Sequence, residues 1–446
     1  MKKALFVIPL VLLTVTSCSK DKADDTPKEE PIDYTPIDKE LKGCFNYFTK
    51  TSNYKEGSNG YGLALDRYSD KASSSIAATG FLLGSYPVFV EQGYMTKDDA
   101  FAIADKSLDT MLRIQNDTST SYAGCISHFV DISTGKRLGE SEVSTIDTAI
   151  LVSGAITAGE YFQGTVKEKA TQLWGNVDYT KFTTTKDKRP CISMGVKSPS
   201  DHTQLSPWDY YAEQLMIYII GAGNPVASHR ITSTYYKNIT KKSGTYGSHT
   251  HIYSWFGSLF TYQYSQAFFN FKEYNDYKGI NYYTNSVEAS LADYTYCQNK
   301  SEYYKSFSES SWGLTACDTP TGYSGLLGTP PRGYSDASIE YQRIEGTVAP
   351  TAALGSMPFT PKESYRALKY YQTLPQLNDS YFGLRDSFNL DFVGHEWFDG
   401  DFIGIDKGIE VLQLYNYKNT DFVCNLAMKN SYVIEGFINN EFVKVQ

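Results

Sequence analysis

Cysteine pairing is the first thing missing from this chain of 446 residues. No Cys-x-x-Cys occurs, and Cys44, Cys125, Cys191, Cys297, Cys317 and Cys424 are scattered. That spacing argues against zinc and leaves buried free thiols as the plain expectation. The six histidines are dispersed too. Only His249-Thr250-His251 stand close together. A strand would put both rings on one face, but no acidic or cysteine partner is nearby, so no metal and no cofactor are expected. Basic residues are outnumbered, 41 Lys and Arg against 50 Asp and Glu. The resulting charge of −9 argues against nucleic acid or an anionic polymer as partner. No Pro/Ser/Gly-rich linker and no charge block divides the body. Length alone would suggest two or three domains, but the roughly 410 residues after the first 36 read as one.

What is present begins with an address. Lys2 and Lys3 precede an apolar segment, Leu5 to Val15, too short to span a bilayer as a helix. It ends Val15-Thr16-Ser17-Cys18, which resembles the lipobox of bacterial lipoproteins. The resemblance implies that residues 1–18 are a signal peptide and that Cys18 carries lipid once cleaved. Residues 19–36 are Lys, Asp, Glu and Pro with almost no apolar content, the composition of a flexible tether. The expectation is a bacterial cell-envelope protein, periplasmic or at the cell surface, that touches the membrane only through its lipid. Residues 37–446 are then a single monomeric domain.

Aromatic residues are abundant: 37 Tyr, 24 Phe and 5 Trp. Part of that fills a core, and tyrosine also suits stacking on sugar faces. Composition does not separate the two uses. Apolar periodicity and capping signals predict about a dozen helices. They cover 37–50, 75–92, 97–115 (capped by Thr96 and Asp99), 144–162, 166–177, 206–222, 229–239, 261–272, 284–299, 348–356, 361–374 (capped by Thr360 with Glu363) and 402–416. Strand-like pieces are few, Tyr122 to Val130 and a hairpin over Phe422 to Val445. Without a short strict repeat, such a chain fits an all-α toroid of paired helices better than a solenoid, which would show a fixed period.

Two acidic helix mouths stand out. Ser144 and Asp147 read as an N-cap and its reciprocal partner. The helix they open is apolar nearly all round (Ile150, Leu151, Val152, Ala155, Ile156, Ala158) and should be buried. Glu140, Glu142 and Asp147 then lie at the edge of a core, or simply cap the helix and meet solvent. Ser206-Pro207-Trp208-Asp209 reads as N-cap, Pro at N1 and an acidic partner at N3, with Glu213 one turn beyond on the same face. A Glu inside an apolar helix is anomalous, because unpaired buried carboxylates are costly. Glu213 either pairs with an Arg or Lys from another helix, or lies on the floor of a cleft with a raised pKa that suits proton donation. Asp147 at a helix N-terminus is favoured as the anion. One carboxyl pushed up and one held down is the arrangement glycoside hydrolysis needs.

The segments Ser75-Ile76-Ala77-Ala78-Thr79-Gly80, Glu142-Val143-Ser144-Thr145-Ile146-Asp147-Thr148-Ala149 and Trp208-Asp209-Tyr210-Tyr211-Ala212-Glu213 come in that order. Trp312-Gly313-Leu314-Thr315-Ala316, Gly346-Thr347-Val348-Ala349-Pro350 and Tyr381-Phe382-Gly383-Leu384-Arg385-Asp386-Ser387-Phe388-Asn389 follow, and Gly404-Ile405-Asp406-Lys407-Gly408 closes the series. Together they resemble the bacterial glycoamylase family that includes the β-1,2-glucanases of glycoside hydrolase family 144. The resemblance implies an (α/α)6 toroid with long loops and a few short strands, and an inverting hydrolase of glucan or its oligosaccharides with a pocket on the axis. Lys407 stands where the family pattern has Gln.

Carried over by position, the resemblance implies Glu213 as the acid that protonates the leaving oxygen. Asp147 or Glu142 would activate water, and the choice between them stays open. Asp66 and Arg67 line the pocket or form a surface ion pair. Asp318 and Glu345 are weaker candidates of that kind. Asp209 belongs to the same acidic mouth as Glu213. Trp208, Trp255, Trp312, Trp397 and Tyr323 are stacking platforms or core. The loops 182–200 and 326–341 would decide between chain-end and internal attack. Two readings compete with hydrolysis: a surface lipoprotein that only captures glycans, and a polysaccharide lyase on the same fold.

Overall fold

The computed structural model describes Met1, residues 32–333 and residues 345–445. The expected leader with Cys18, residues 19–31 of the tether and residues 334–341 of the second long loop lie outside the described residues.

Among the described residues, helices alternate between an outer and an inner layer. In chain order they are α1 (Thr35–Thr51), α2 (Ile76–Glu91), α3 (Lys97–Gln115), α4 (Thr145–Phe162), α5 (Gly164–Gly175), α6 (Leu215–Ala222), α7 (Ser233–Asn238), α8 (Phe260–Phe268), α9 (Tyr282–Asn299), α10 (Pro350–Gly355), α11 (Pro361–Tyr371) and α12 (Gly404–Lys418). The even-numbered helices form the inner ring. α2 packs on α4 and α12, α4 on α6, α12 on α10, and α10 on α8. The Met216 amide of α6 donates to the Ser265 hydroxyl of α8 (3.0 Å), completing the circle. Each odd-numbered helix backs an even one: α3 on α2, α5 on α4, α7 on α6, α9 on α8, α11 on α10 and α1 on α12. This is the expected (α/α)6 toroid.

The layering follows from the side chains. α2 and α4 have no polar face, and nearly every residue from Ile76 to Phe89 and from Thr145 to Phe162 is buried. Their backbones touch: a Cβ on Gly154 would lie 1.8 Å from the Gly80 carbonyl oxygen, so only glycine fits there. α3 begins where the capping box put it, with the Asp99 amide on the Thr96 hydroxyl (3.1 Å) and that hydroxyl on the Asp99 carboxylate (2.7 Å). The six cysteines after Cys18 are buried free thiols.

One end of the ring is closed. A short helix, α13 (Phe422–Ala427), packs across α4, α8 and α12, and the Cys424 thiol donates to the Gln266 carbonyl near the end of α8 (2.9 Å). α14 (Ser431–Asn439) then lies on α6. Residues 422–445 are therefore helical rather than a hairpin, and only Val443–Lys444 pairs as a strand, with Tyr274–Asn275. The apolar positions Val423, Leu426, Ala427, Val433 and Phe437 had the right spacing for helices, and burial against the ring decides the case. At the open end, short strand pairs tie the loops that lead into the inner helices. Ser73–Ser75 pairs with Phe129–Asp131, and Val143–Ser144 with Gly195–Val196.

Two further expectations are corrected. Residues 206–214 are not helical, because their backbone groups are taken by distant strands. Ser206 accepts from Met194 (2.8 Å), Trp208 donates to Ile192 (2.8 Å) and Tyr211 donates to Thr240 (3.0 Å). α6 starts only at Leu215, so Ser206 and Asp209 form no capping box and Glu213 lies in the turn before the helix. At α11 the Thr360 hydroxyl bonds Ser364 (3.0 Å), and no cap forms with Glu363.

Candidate active site

The open end of the ring holds a cavity of about 840 Å³. Its walls are the first turns of α2, α4, α8 and α12, with the loops before them and the turn before α6: Ser75 and Ala77, Ile146 and Asp147, Phe260 and Tyr264, Ile405 and Asp406, and Glu213.

Glu213 is fixed through its backbone, whose carbonyl accepts the Ser265 hydroxyl from α8. Its side chain lines the cavity and is 9% exposed. No ion pair reaches it among the described residues. Burial pushes its carboxyl up to about 7, and the charge of Asp147 adds to the rise. Of the two sequence readings, the cleft floor is the one observed.

In the same cavity the mouth of α4 carries Glu142 and Asp147 with His128 beside them. The His128 amide donates to the Glu142 carbonyl (2.9 Å), and its carbonyl accepts from Ile76 at the start of α2 (3.1 Å). The ring lies on Phe129, centroids 3.8 Å apart. Its Nδ1 is 3.1 Å from Glu142 Oε1 and its Nε2 3.6 Å from Asp147 Oδ1. Burial opposes charge on this imidazole, yet Asp147, Glu142 and Asp66 outweigh it and raise it to about 9. The His128 hydrogen bond in turn holds Glu142 below the usual carboxylate range. These three groups come within 4.8 Å of one another as a cation-binding set would, but the imidazole itself stands between the carboxylates.

A third acidic region borders the cavity. Arg67 reaches Asp318 (2.9 Å), Asp66 (3.6 Å) and Asp401 (3.6 Å). Burial raises the Asp66 carboxyl despite Arg67 and His128. Asp406 meets Asp386, whose Oδ2 accepts the Asp318 amide (2.6 Å). Burial raises both, Asp386 to about 7, and the Asp386 charge presses Asp406 up further while the hydrogen bond from Asp406 holds Asp386 back, so the pair keeps a proton.

Of the residues singled out in the sequence, Glu213, Asp147, Glu142, Asp66, Arg67, Trp208 and Tyr323 line this one cavity. The Trp208 indole donates to Thr145 (3.2 Å), and Tyr323 stands on the hairpin Cys317–Thr319/Gly322–Ser324. The others lie outside the lining. Trp312 is fully buried against Tyr294 and is core, not a stacking platform. Trp255 is exposed at the surface edge-on to Tyr210. Trp397 sits on the strand His395–Phe398 opposite Asn389. The Glu345 carboxylate accepts the Thr347 hydroxyl (3.0 Å), and the Asp209 carbonyl bonds Thr240 (2.8 Å). His249 pairs with Glu288 (3.0 Å), away from the cavity. Sequence reasoning missed His128, Phe260 and Tyr264, which stand in no motif, and the Asp386–Asp406 pair. Both aspartates were inside recognised segments, so the signal was there without a role attached.

The comparisons with known proteins agree with this picture. The family model described as "Putative glucoamylase" matches residues 205–431, 227 of the 446 residues. A curated exo-β-1,2-glucooligosaccharide sophorohydrolase (non-reducing end) from Parabacteroides distasonis is 26% identical over 405 residues, 82% of this chain. The chain spans about half the length of that relative, 53%. The solved endo-β-1,2-glucanase from Chitinophaga pinensis, in complex with sophorotriose and glucose, shares the fold at TM-score 0.79 and 22% identity over 93% of this chain and 99% of its own. A β-1,2-glucanase structure from Parabacteroides distasonis does so at TM-score 0.75 and 22% identity, covering 92% of this chain and 60% of its own.

Proposed function

Because this chain belongs to the glycoamylase family, we propose that it is a glycoside hydrolase that cleaves β-1,2-glucan or its oligosaccharides with inversion. The observation that carries the reading is Glu213, a buried carboxyl with no counter-ion among the described residues, lining the same cavity as Glu142 and Asp147. With its pKa near 7, Glu213 keeps a proton at neutrality and gives it to the leaving glycosidic oxygen. Water forms the new bond at the anomeric carbon from the opposite face and loses its proton to Glu142 or Asp147. The cavity, at about 840 Å³, has room for a short oligosaccharide. The named activities of the sophorohydrolase and the two glucanases support the β-1,2 linkage. The lipobox-like stretch ending in Cys18 supports a lipid anchor at the envelope, which a Cys18→Ala variant lost from the membrane fraction would bear out.

The test is a product assay. Protein lacking residues 1–18 is incubated with linear β-1,2-glucan and, beside it, with β-1,3-, β-1,4- and α-1,4-glucans. Sophorose or longer β-1,2 oligosaccharides from the first substrate alone are expected, and their size decides between exo and endo action. Tight binding without cleavage would make the protein a capture module, and an unsaturated, ultraviolet-absorbing product would make it a lyase.

A further inference from the structure

His128 belongs to no recognised segment and has no part in the proton transfers proposed above, yet it is held from several sides at the cavity wall. Its backbone is bonded to the mouths of both α2 and α4, and its ring is clamped on Phe129. Each ring nitrogen faces a different carboxylate, Nδ1 toward Glu142 (3.1 Å) and Nε2 toward Asp147 (3.6 Å). A neutral imidazole has one N–H and one lone pair, so it would turn that lone pair on one of the two anions. Only the doubly protonated ring suits both.

We propose that His128 is a positioning residue, an imidazolium wedged between Glu142 and Asp147 that lets two like charges stand side by side, both ionised, at the mouth of α4. The catalytic part of this inference rests on the hydrolase reading; the charge bridge does not. The groups that face the ring are Glu142 from the preceding loop, Asp147 from α4 and Asp66 from the loop before α2, all acidic. Of the cations in the region, Arg67 is occupied by Asp66, Asp318 and Asp401. Arg137 also acts on Glu142, its guanidinium held by the Ser141 carbonyl (2.6 Å). Without the imidazolium, Glu142 and Asp147 would press on each other, and one would take up a proton at a higher pH than it does beside the cation. Whichever of them receives the proton from water would then be blocked over part of the working range.

Two measurements separate the parts. In the full-length protein, NMR of the histidine side chains follows each imidazole against pH. The signal missing from His128→Asn is expected to stay charged at pH 8, whereas an ordinary exposed imidazole titrates near 6.5. Titration of His128 at or below about 6.5 overturns the proposal. On β-1,2-glucan, His128→Asn is expected to lose about 100-fold in kcat with KM little changed. The acid limb of its rate profile should move up by about one pH unit, because Glu142 loses the cation that lowers it. A slower variant with that limb unmoved assigns His128 a merely structural role and overturns the proposal. A ring charged at pH 8 in a protein that cleaves no glucan supports the charge bridge and overturns the hydrolase reading instead.

Discussion

Lys407 lies between Glu40 (2.8 Å) and Glu410 (2.9 Å) in the seam of α1 and α12, while His128 lies between Glu142 and Asp147 at the cavity wall. Both sites place one cation against two carboxylates, but they differ in solvent. The Lys407, Glu40 and Glu410 side chains are at most 2% exposed, whereas those of His128 and Glu142 are 29% and 38% exposed. In the sealed cluster every partner must come from the protein. The Leu384 amide donates to Glu40 (3.0 Å), the Cys44 thiol donates to Glu410 (3.4 Å), and the carboxylates hold the Lys407 ammonium charged. Burial still lifts Glu410 to about 7. Such a cluster binds helix to helix and has no room for a ligand. The open cluster leaves its carboxylates open to water. Position in the ring, not composition, separates a sealed bridge from an open one.

The comparison breaks first at Lys407. Lys407→Met would leave two carboxylates buried without their cation, and a loss of about 3–5 kcal/mol is expected in denaturant unfolding. A loss below about 1 kcal/mol would mean that solvent reaches this seam as it reaches the cavity.

Glu213 is the third case, a buried carboxyl with no cation paired to it among the described residues. Glu213→Gln should lower kcat by about 10²- to 10⁴-fold while KM changes little. The wild-type rate should fall as pH rises through about 7, since the acid works only when protonated. A rate that is flat from pH 6 to 8 would remove Glu213 from that role. The same group also carries a stability signature. Its folded pKa is raised from 4.5 to about 7, so it costs nothing below the unfolded value, and folded stability declines as pH rises from there through 7. Glu213→Gln should therefore exceed the wild type by up to about 3 kcal/mol at pH 8, with the gap nearly closed at pH 5. Melting curves at the two pH values check the sign.

The smallest expected effect sharpens the contrast from the other side. His128→Asn, in a cluster open to water, should change unfolding free energy by about 1 kcal/mol or less, far less than Lys407→Met. Equal losses at the two sites would abolish the distinction between sealed and open bridges.

Much of the scaffold was legible because its signals are local. α3 has its predicted bounds, Lys97 to Gln115, since a capping box opens it and an apolar stripe runs its length. Ser144 caps α4, whose all-round apolar surface announced an inner helix. Glu213 was found as an acidic residue in apolar surroundings, although the helix assigned to it starts two residues later. The Lys407 position, a departure from the family pattern, made sense only when Glu40 from α1 arrived beside it. His128 gave no signal, because its partners lie 14 and 19 residues away across a loop and a strand pair.

By itself, then, the sequence determined the alternation of helices, the acidic mouth of α4 and the family, because capping, periodicity and ordered segments act over a few residues at a time. Only the tertiary structure decided which residues share the cavity. Backbone pairing between 192 and 208 and between 211 and 240 pulled the stretch before α6 out of its helix. Packing sank Trp312 into the core and left Trp255 on the surface. The charge of a buried group is likewise set by neighbours that arrive from other helices, and no local pattern encodes which ones they are.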